Sequence, residues 1–443
     1  MALSGTLRRK LSPQEAGEGP SPLIGGLVAI CAAGILIRLL LMPFTMHTDV
    51  YQIYSRAHMA AYHGDWLVWS SQIVIQMVHN IWLLLIRPLL PGSEPIWSHT
   101  AGVLGSGPIP APDDLARFFA YPYLARALFL MKLPYLVADL ATGYVLTRLV
   151  APERRRRVLA LWLLNPLVIF GSAIFARHDS MSVFLVVLSV LVTTRGRRYL
   201  GLGLLGLGAA ARLFPAFLIP FFILAYRRSR RELLLLGGGI ATLWLIIDGT
   251  TWAITGSSPT LTILTRYPHI DYLVELALPL LQGDRIFIFP LAYALLFLWY
   301  SERHPSGSGD YVAASAAVML VLFALTFFHP QYTVWLVPFL ALTIDRRGGL
   351  IGYHIVQIIL LGLYALNWGT GITWDMLRPL GAPVLGTLPD PMTIIGAQVP
   401  AELFFGLVRS LFTAVTLWMA YRILRDQFGK RRHPVLEGGN ELG

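Results

Sequence analysis

The chain has 443 residues, 56% hydrophobic and 13% charged, with a formal net charge of +11. Soluble domains carry roughly 25% charged residues, so this composition excludes an ordinary soluble enzyme. The positive charge lies in short clusters between apolar runs, as in "LRRK" (7–10), "ERRRR" (153–157), "RGRR" (195–198), "RRSRR" (227–231), "DRR" (345–347) and "KRR" (430–432). Basic residues gather at the cytoplasmic ends of membrane helices, so the charge needs no nucleic acid to explain it.

In chain order, Arg8, Arg9 and Lys10 precede an apolar run from Leu23 to Phe44. That run is too long for a signal peptide and no small-residue cleavage site follows, so a retained first helix is expected over 23–44, running from inside to outside. Cys31, the one cysteine, sits within it and excludes an intrachain disulfide and a cysteine zinc site. Residues 45–120 form a long outer loop. Within it, 50–63 and 66–90 have the spacing and tryptophan content of helices lying along the membrane interface. Further spans are expected near 121–150, 157–176, 181–194, 199–212, 213–226, 233–255, 286–301, 311–328, 331–344, 349–367 and 401–425. The expected fold is all-α and polytopic, a single domain over 1–443 with about twelve transmembrane helices and both termini cytoplasmic. Several helices are short or broken, which the bilayer tolerates where they border protein or a water-filled cavity. Residues 256–285 and 369–400 are further outer loops. No internal repeat is evident. The arginine-dominated basic set suggests a bacterial source, and thus the plasma membrane.

Charged groups inside or beside apolar helices are costly and therefore functional candidates. Asp49, in "MHTDVYQIYSRA" (46–57), stands at the outer mouth of the first helix. Its alternative role is to cap the helix beginning at Val50, in competition with Thr48. In "LLNPLVIFGSAIFARHDS" (163–180), Asn165-Pro166 interrupts a helix and Arg177, His178 and Asp179 follow; Asp179 is equally placed to cap the next helix. In "AAARLFPAFLIP" (209–220), Arg212 lies between short helices, far from either arginine cluster. It needs an anion: a phosphate, whose oxygens suit its fork of donors, or an internal acid such as Asp49, Asp179 or Asp248. A phosphate partner predicts that Arg212→Met costs affinity for the phosphate-bearing ligand more than stability, and an internal acid predicts the reverse. Two outer segments, "TRYPHIDYLVE" (265–275) with Arg266 and His269, and "FFHPQYTVWLVP" (327–338) with His329, Gln331 and Tyr332, are alternatively interfacial anchors. No zinc, calcium, P-loop or dinucleotide motif is present.

Together these segments resemble the polytopic glycosyltransferases of the C-type fold (GT-C), in particular the first mannosyltransferase of GPI-anchor synthesis and its prokaryotic relatives. "HTDVYQIYSRAHMAAYHGDW" is similar to that family's first outer loop. "LLNP…RHDS" resembles its Asn-Pro helix and acidic turn, "ARLFP" its Lys-x-x-Pro element with Arg212 in place of Lys, and "PQYTVWLVP" its Gln-Tyr-x-x-Trp stretch. The resemblance implies transfer of a sugar, mannose in the nearest relatives, from a polyprenyl-phosphate carrier to an acceptor hydroxyl at the outer face, with inversion. It implies Asp49 as general base and Arg212 with Arg266 at the departing phosphate. His178, Asp179, His269, Gln331 and Tyr51 complete the expected substrate-binding set. Some relatives carry a second Asp where this chain has Tyr51, which counts against a bound divalent cation such as manganese or magnesium. Beyond the polyprenyl-phosphate sugar as co-substrate, no cofactor is implied. The acceptor, whether lipid, glycan or protein, stays open. The rival class is a transporter or lipid flippase, which explains the helix count and Arg212 but not a structured outer loop led by Asp49.

Overall fold

A computed structural model describes residues 22–66, 72–97, 112–266, 270–346 and 348–429. The first apolar run forms α1 (Pro22–Leu41). Inside it the one charge, Arg38, is fully buried, which a membrane helix tolerates only with a partner. The chain then turns into α2 (Thr48–His63), closed at Gly64, whose φ of 72° is the left-handed conformation glycine adopts most readily. Both faces of α2 are buried, with Tyr51 and Tyr54 on one side and Arg56, His58 and Ala60 among the rest. It is thus an internal helix rather than the interfacial one expected from its spacing: small Ala57, Ala60 and Ala61 admit α3 (Ile73–Ile86) against it. The outward face of α3, with Val78, Ile81, Leu84 and Leu85, remains exposed and apolar.

After α4 (Pro112–Phe119), α5 (Leu124–Arg148) carries Pro134 and two buried charges, Lys132 and Asp139. Asp139 is the partner of Arg38, with Nε to Oδ2 at 2.6 Å, and Ser172 Oγ donates to the same oxygen at 2.7 Å. The next apolar run breaks at Asn165-Pro166, as its sequence predicts, into α6 (Arg155–Leu163) and α7 (Pro166–Ile169), bent by 49°. Asn165 Oδ1 caps the second piece by accepting the Leu167 N–H at 3.0 Å. Its Nδ2 and His354 Nε2 lie 2.9 Å apart. A π-turn over Phe170–Ile174 follows, and then α8 (Asp179–Thr194) and α9 (Arg198–Ala211), packed as a pair.

Pro215 and Pro220 divide the next run into a 3₁₀ turn, Phe214–Leu218, and α10 (Ile219–Tyr226). α11 (Arg230–Thr255) starts at the N-cap Ser229, whose Oγ accepts the Glu232 N–H, and ends at Gly256. Leu234, Leu235, Leu245, Ile246 and Trp252 leave it with a lipid-like exterior. Residues 256–287 hold α12 (Pro259–Arg266), α13 (Asp271–Val274) and a small antiparallel hairpin, β1 (Ala277–Pro279) with β2 (Arg285–Phe287), registered Ala277 opposite Phe287. Apart from this short hairpin, the regular structure of the described residues is helical, as the all-α expectation has it.

α14 (Ile288–Glu302) leads to α15 (Gly307–Leu325), the centre of the larger core. Ala313, Ala314, Ser315, Ala316 and Ala317 are all buried there, and this small surface lets neighbouring helices approach on every side. A 3₁₀ turn, Pro330–Trp335, enters α16 (Val337–Ile344). The chain closes with α17 (Leu350–Ala365), α18 (Pro391–Gly396) and α19 (Ala401–Phe428), which packs along α15.

The protein is a polytopic helical membrane protein. Among the described residues four helices are long and apolar enough to cross a bilayer, five if the bent α6–α7 pair counts as one. The expected dozen is not reached on that measure, because proline breaks divide some runs and other apolar helices are too short. Six further apolar helices are shorter. The ends, 1–21 and 430–443, on which a cytoplasmic placement of the termini rests, lie outside the described residues.

Candidate active site

Four chain breaks meet at one place: the turn between α1 and α2, the π-turn before α8, the end of α9, and the 3₁₀ turn before α16. Each break leaves a polar residue pointing into the gap between the two main apolar cores. They form a row of alternating charge. Asp49 Oδ2 lies 2.7 Å from Arg177 Nη1. Arg177 Nε lies 4.0 Å from Asp179 Oδ2. Asp179 Oδ1 accepts from Arg212 Nε at 2.8 Å and from Trp335 Nε1 at 2.7 Å. Tyr332 supports both cations: its hydroxyl is 3.3 Å from Arg177 Nη1, and its ring centroid is 4.8 Å from the Arg212 guanidinium.

The local reasons are legible. His47, not Asp49 or Thr48, caps α2: its Nδ1 accepts the Asp49 N–H at 3.2 Å, and its ring stacks on Phe175 at 3.8 Å. The Asp49 carboxylate is therefore not used in capping. Nor is that of Asp179, whose helix has His178 as its capping residue without a side-chain bond. Tyr332 and Trp335 are three residues apart in a 3₁₀ turn, where positions i and i+3 eclipse, so their rings stack at 4.6 Å. Lys132 fastens the assembly from below. Its Nζ donates to Thr45 O at 2.5 Å, Thr45 Oγ1 at 3.0 Å and Ala173 O at 3.1 Å, tying the exit of α1 to the π-turn.

The row is graded in exposure. The side chains of Asp49 and Arg177 are 23% and 16% accessible, those of Asp179 and Arg212 2% and 4%. The Asp49 end is thus the more open end of the row. Burial alone would push the Asp49 carboxyl up, but Arg177 and His47 outweigh it and hold it well below the usual carboxylate range. Burial, reinforced by Arg177, holds the nearby His329 imidazole down to about 4, so it is neutral at physiological pH.

At the Arg212 end a pocket of about 640 Å³ opens, lined by Arg212, Tyr332 and Trp335 and otherwise mostly by apolar side chains such as Phe214, Phe217 and Leu322. A second pocket of about 500 Å³, between α3, α9, α11 and α12, shares Gln72 and Leu213 with the first. Among the described residues no group of three or more His, Cys, Asp or Glu is placed to hold a metal ion. Between Asp49 and Asp179, the seat a divalent cation would take is filled by the Arg177 guanidinium.

Of the residues expected from sequence, Asp49, Asp179 and Arg212 come together here. The partner of Arg212 is Asp179, one of the internal acids. His178 sits at the head of α8, its Nε2 2.7 Å from Gln72 Oε1. Gln331 is buried beside Tyr332. Tyr51 is elsewhere: its hydroxyl donates to Ile96 O at 2.9 Å and its ring packs on Trp97 and Phe118. His269 and the Arg266 side chain lie outside the described residues. Sequence reasoning gave no role to Arg177, Trp335 or Lys132. The Arg-His-Asp tripeptide and the Tyr-x-x-Trp spacing signal the first two; Lys132 is signalled only by a lone charge in an apolar helix.

The helical scaffold thus carries a partly exposed carboxylate in a turn and an arginine at the head of an apolar pocket. Residues 76–228 match the family model of the MptA/B family, described as alpha-(1->6)-mannopyranosyltransferase, N-terminal domain. The similarity covers about a third of the chain and is to the N-terminal domain of that family. The matched segment contains Lys132, Arg177, Asp179 and Arg212; Asp49, Tyr332 and Trp335 lie beyond it. No curated protein and no solved structure gives a match.

Proposed function

We propose that this protein moves mannose from a polyprenyl-phosphate carrier to an acceptor hydroxyl at the outer membrane face, forming an α-(1→6) linkage with inversion, and that Asp49 is the general base. One observation supports this above the others. A carboxylate freed from capping stands at the open end of a charge row whose buried end, Arg212, heads an apolar pocket.

In this reading the lipid tail of the donor occupies the pocket and its phosphate meets Arg212. The acceptor hydroxyl approaches from the exposed side. Asp49 takes the hydroxyl proton as the oxygen attacks the anomeric carbon from the face opposite the phosphate. The bond from that carbon to the phosphate oxygen breaks, and its electron pair leaves with the lipid phosphate. Arg212, held by Asp179 and Trp335, stabilises the charge that develops there. A single displacement turns over the anomeric configuration. No step requires a metal ion. The outer-face placement follows from the basic clusters at the opposite helix ends.

The test is purified protein in lipid nanodiscs with polyprenyl-phosphate mannose and a membrane glycolipid extract as acceptor. Released polyprenyl phosphate should match mannose gained by the acceptor, with the opposite anomeric configuration by NMR. Retained configuration, or mannose release with Asp49→Asn at the wild-type rate, refutes the mechanism.

A further inference from the structure

The charge row contains a mismatch. Arg177 is paired with Asp49 at 2.7 Å, yet its Nε stands 4.0 Å from Asp179 Oδ2, which is buried and accepts no hydrogen bond among the described residues. A buried carboxylate oxygen left without a donor is costly. A shift of about 1 Å would bring Arg177 Nε to hydrogen-bonding distance of it. The residue before it, Ala176, has φ of 55°, an uncommon left-handed conformation for a residue with a Cβ. The strained turn thus aims Arg177 away from Asp179 and toward Asp49, the pattern expected of a segment with two seats. Tyr332 touches both guanidinium groups and offers a surface over which Arg177 can slide.

We propose that Arg177 is a two-position residue: it covers Asp49 in the empty enzyme and moves to Asp179 when the donor phosphate engages Arg212, so that the base is released only once the donor is in place. This rests on the functional reading above and adds to it an order of events. The chain of influence is short. Phosphate draws on Arg212; Asp179 loses part of its cation; its unsatisfied oxygen takes Arg177; Asp49 is left free to accept a proton. Without such a release the base would be weak, because a carboxylate bonded to a guanidinium has little tendency to take up a proton. Only ion pairs exchange, and no covalent bond changes. Arg177 acts through Asp49 and is a positioning residue.

The groups facing Asp49 are His47 from the α2 cap, Arg177 and His178 from the turn before α8, and His329 from the segment before α16. Of these, Arg177 alone has a second carboxylate within 4.0 Å.

The experiment compares pH profiles in nanodiscs with polyprenyl-phosphate mannose as the varied donor. The acid limb of kcat/KM reports Asp49 in the free enzyme and that of kcat reports it in the loaded enzyme. In wild type the kcat limb should lie about 1–3 pH units above the kcat/KM limb. Asp179→Asn removes the second seat and also loosens Arg212: donor KM should change, but the two limbs should converge and kcat should fall at saturating donor. Arg177→Met should raise the kcat/KM limb by about 1–3 pH units and also bring the limbs together. Coincident limbs in the wild type overturn the proposal, with no variant needed. So does a wild-type separation in Asp179→Asn, because the phosphate charge alone would then explain it, or unmoved limbs in Arg177→Met. If Asp49→Asn is inactive and the wild-type limbs coincide, this proposal alone fails; an active Asp49→Asn fails the reading beneath it.

Discussion

Arg212→Met removes one member of an ion pair whose side chains are 4% and 2% accessible. Water therefore cannot replace what Asp179 loses. Breaking a buried pair by deleting one partner costs about 3–5 kcal/mol, most of it the penalty of the charge left behind. Here the low end of that range is expected, because Trp335 Nε1 still donates to Asp179 Oδ1 at 2.7 Å and Arg177 stands 4.0 Å from its other oxygen. Had the partner of Arg212 been the donor phosphate alone, stability would have been spared. The pair with Asp179 makes the substitution costly in both stability and donor binding. The assay is a double-mutant cycle of thermal or denaturant unfolding in nanodiscs across wild type, Arg212→Met, Asp179→Asn and the double variant. Arg212→Met should lose about 3 kcal/mol. The double variant should be more stable than the sum of the single losses predicts, since no isolated charge remains. A loss below about 1 kcal/mol in Arg212→Met, with additive single effects, refutes the pairing as an energetic unit.

Asp49→Asn should fold and insert yet lose about 10²–10⁴-fold in transfer rate; activity within a factor of about three of wild type removes it as base. Turnover should be indifferent to EDTA, because Arg177 fills the space between the two carboxylates; loss with chelator and recovery with manganese or magnesium would show that reading to be wrong. Lys132→Met unties Thr45 from Ala173 and should lower kcat roughly 10²-fold with donor KM little changed, the pattern of a displaced reacting group. An unaltered kcat would restrict Lys132 to packing. Gly34→Ala should destabilise by about 1–3 kcal/mol, because its Cβ would stand 2.9 Å from Leu163 Cβ, close to the backbone; unfolding within error of wild type would show that α1 and α6 can separate freely.

Much of this architecture is legible in the sequence because membrane helices and their breaks are local. Asn165-Pro166 and Phe214-Pro215 announce their interruptions, and charge inside an apolar stretch marks Asp179 and Arg212 as residues that must be answered. What answers them is not local. Arg212 lies 33 residues from Asp179, and Trp335 lies 156 residues from it. No periodicity encodes those meetings, so the sequence leads to an external phosphate as the partner of Arg212, where the structure supplies Asp179. The same limit hides the burial of α2, which depends on what packs over it. The hairpin at 277–287 is missed for another reason: three-residue strands are too short to show alternation. Asp49 is the converse case. Its place in the chain is plain, but that His47 has taken over the capping is visible only in the angles of the turn.

The π-turn over Phe170–Ile174 has a consequence for how this chain can change. Phe175 N–H bonds back to Phe170 O at 2.8 Å, a loop holding one residue more than an α-helical turn would. Each residue of an α-helix advances the side chain by about 100°. Were this wide turn to relax into ordinary winding with all its residues kept, all that follows would rotate by about that angle until the next break. Arg177 would then swing out of the row while every residue in it remained present. An added residue between 166 and 176 should therefore be tolerated far less than a substitution there, although the segment lacks the conspicuous chemistry of its neighbours.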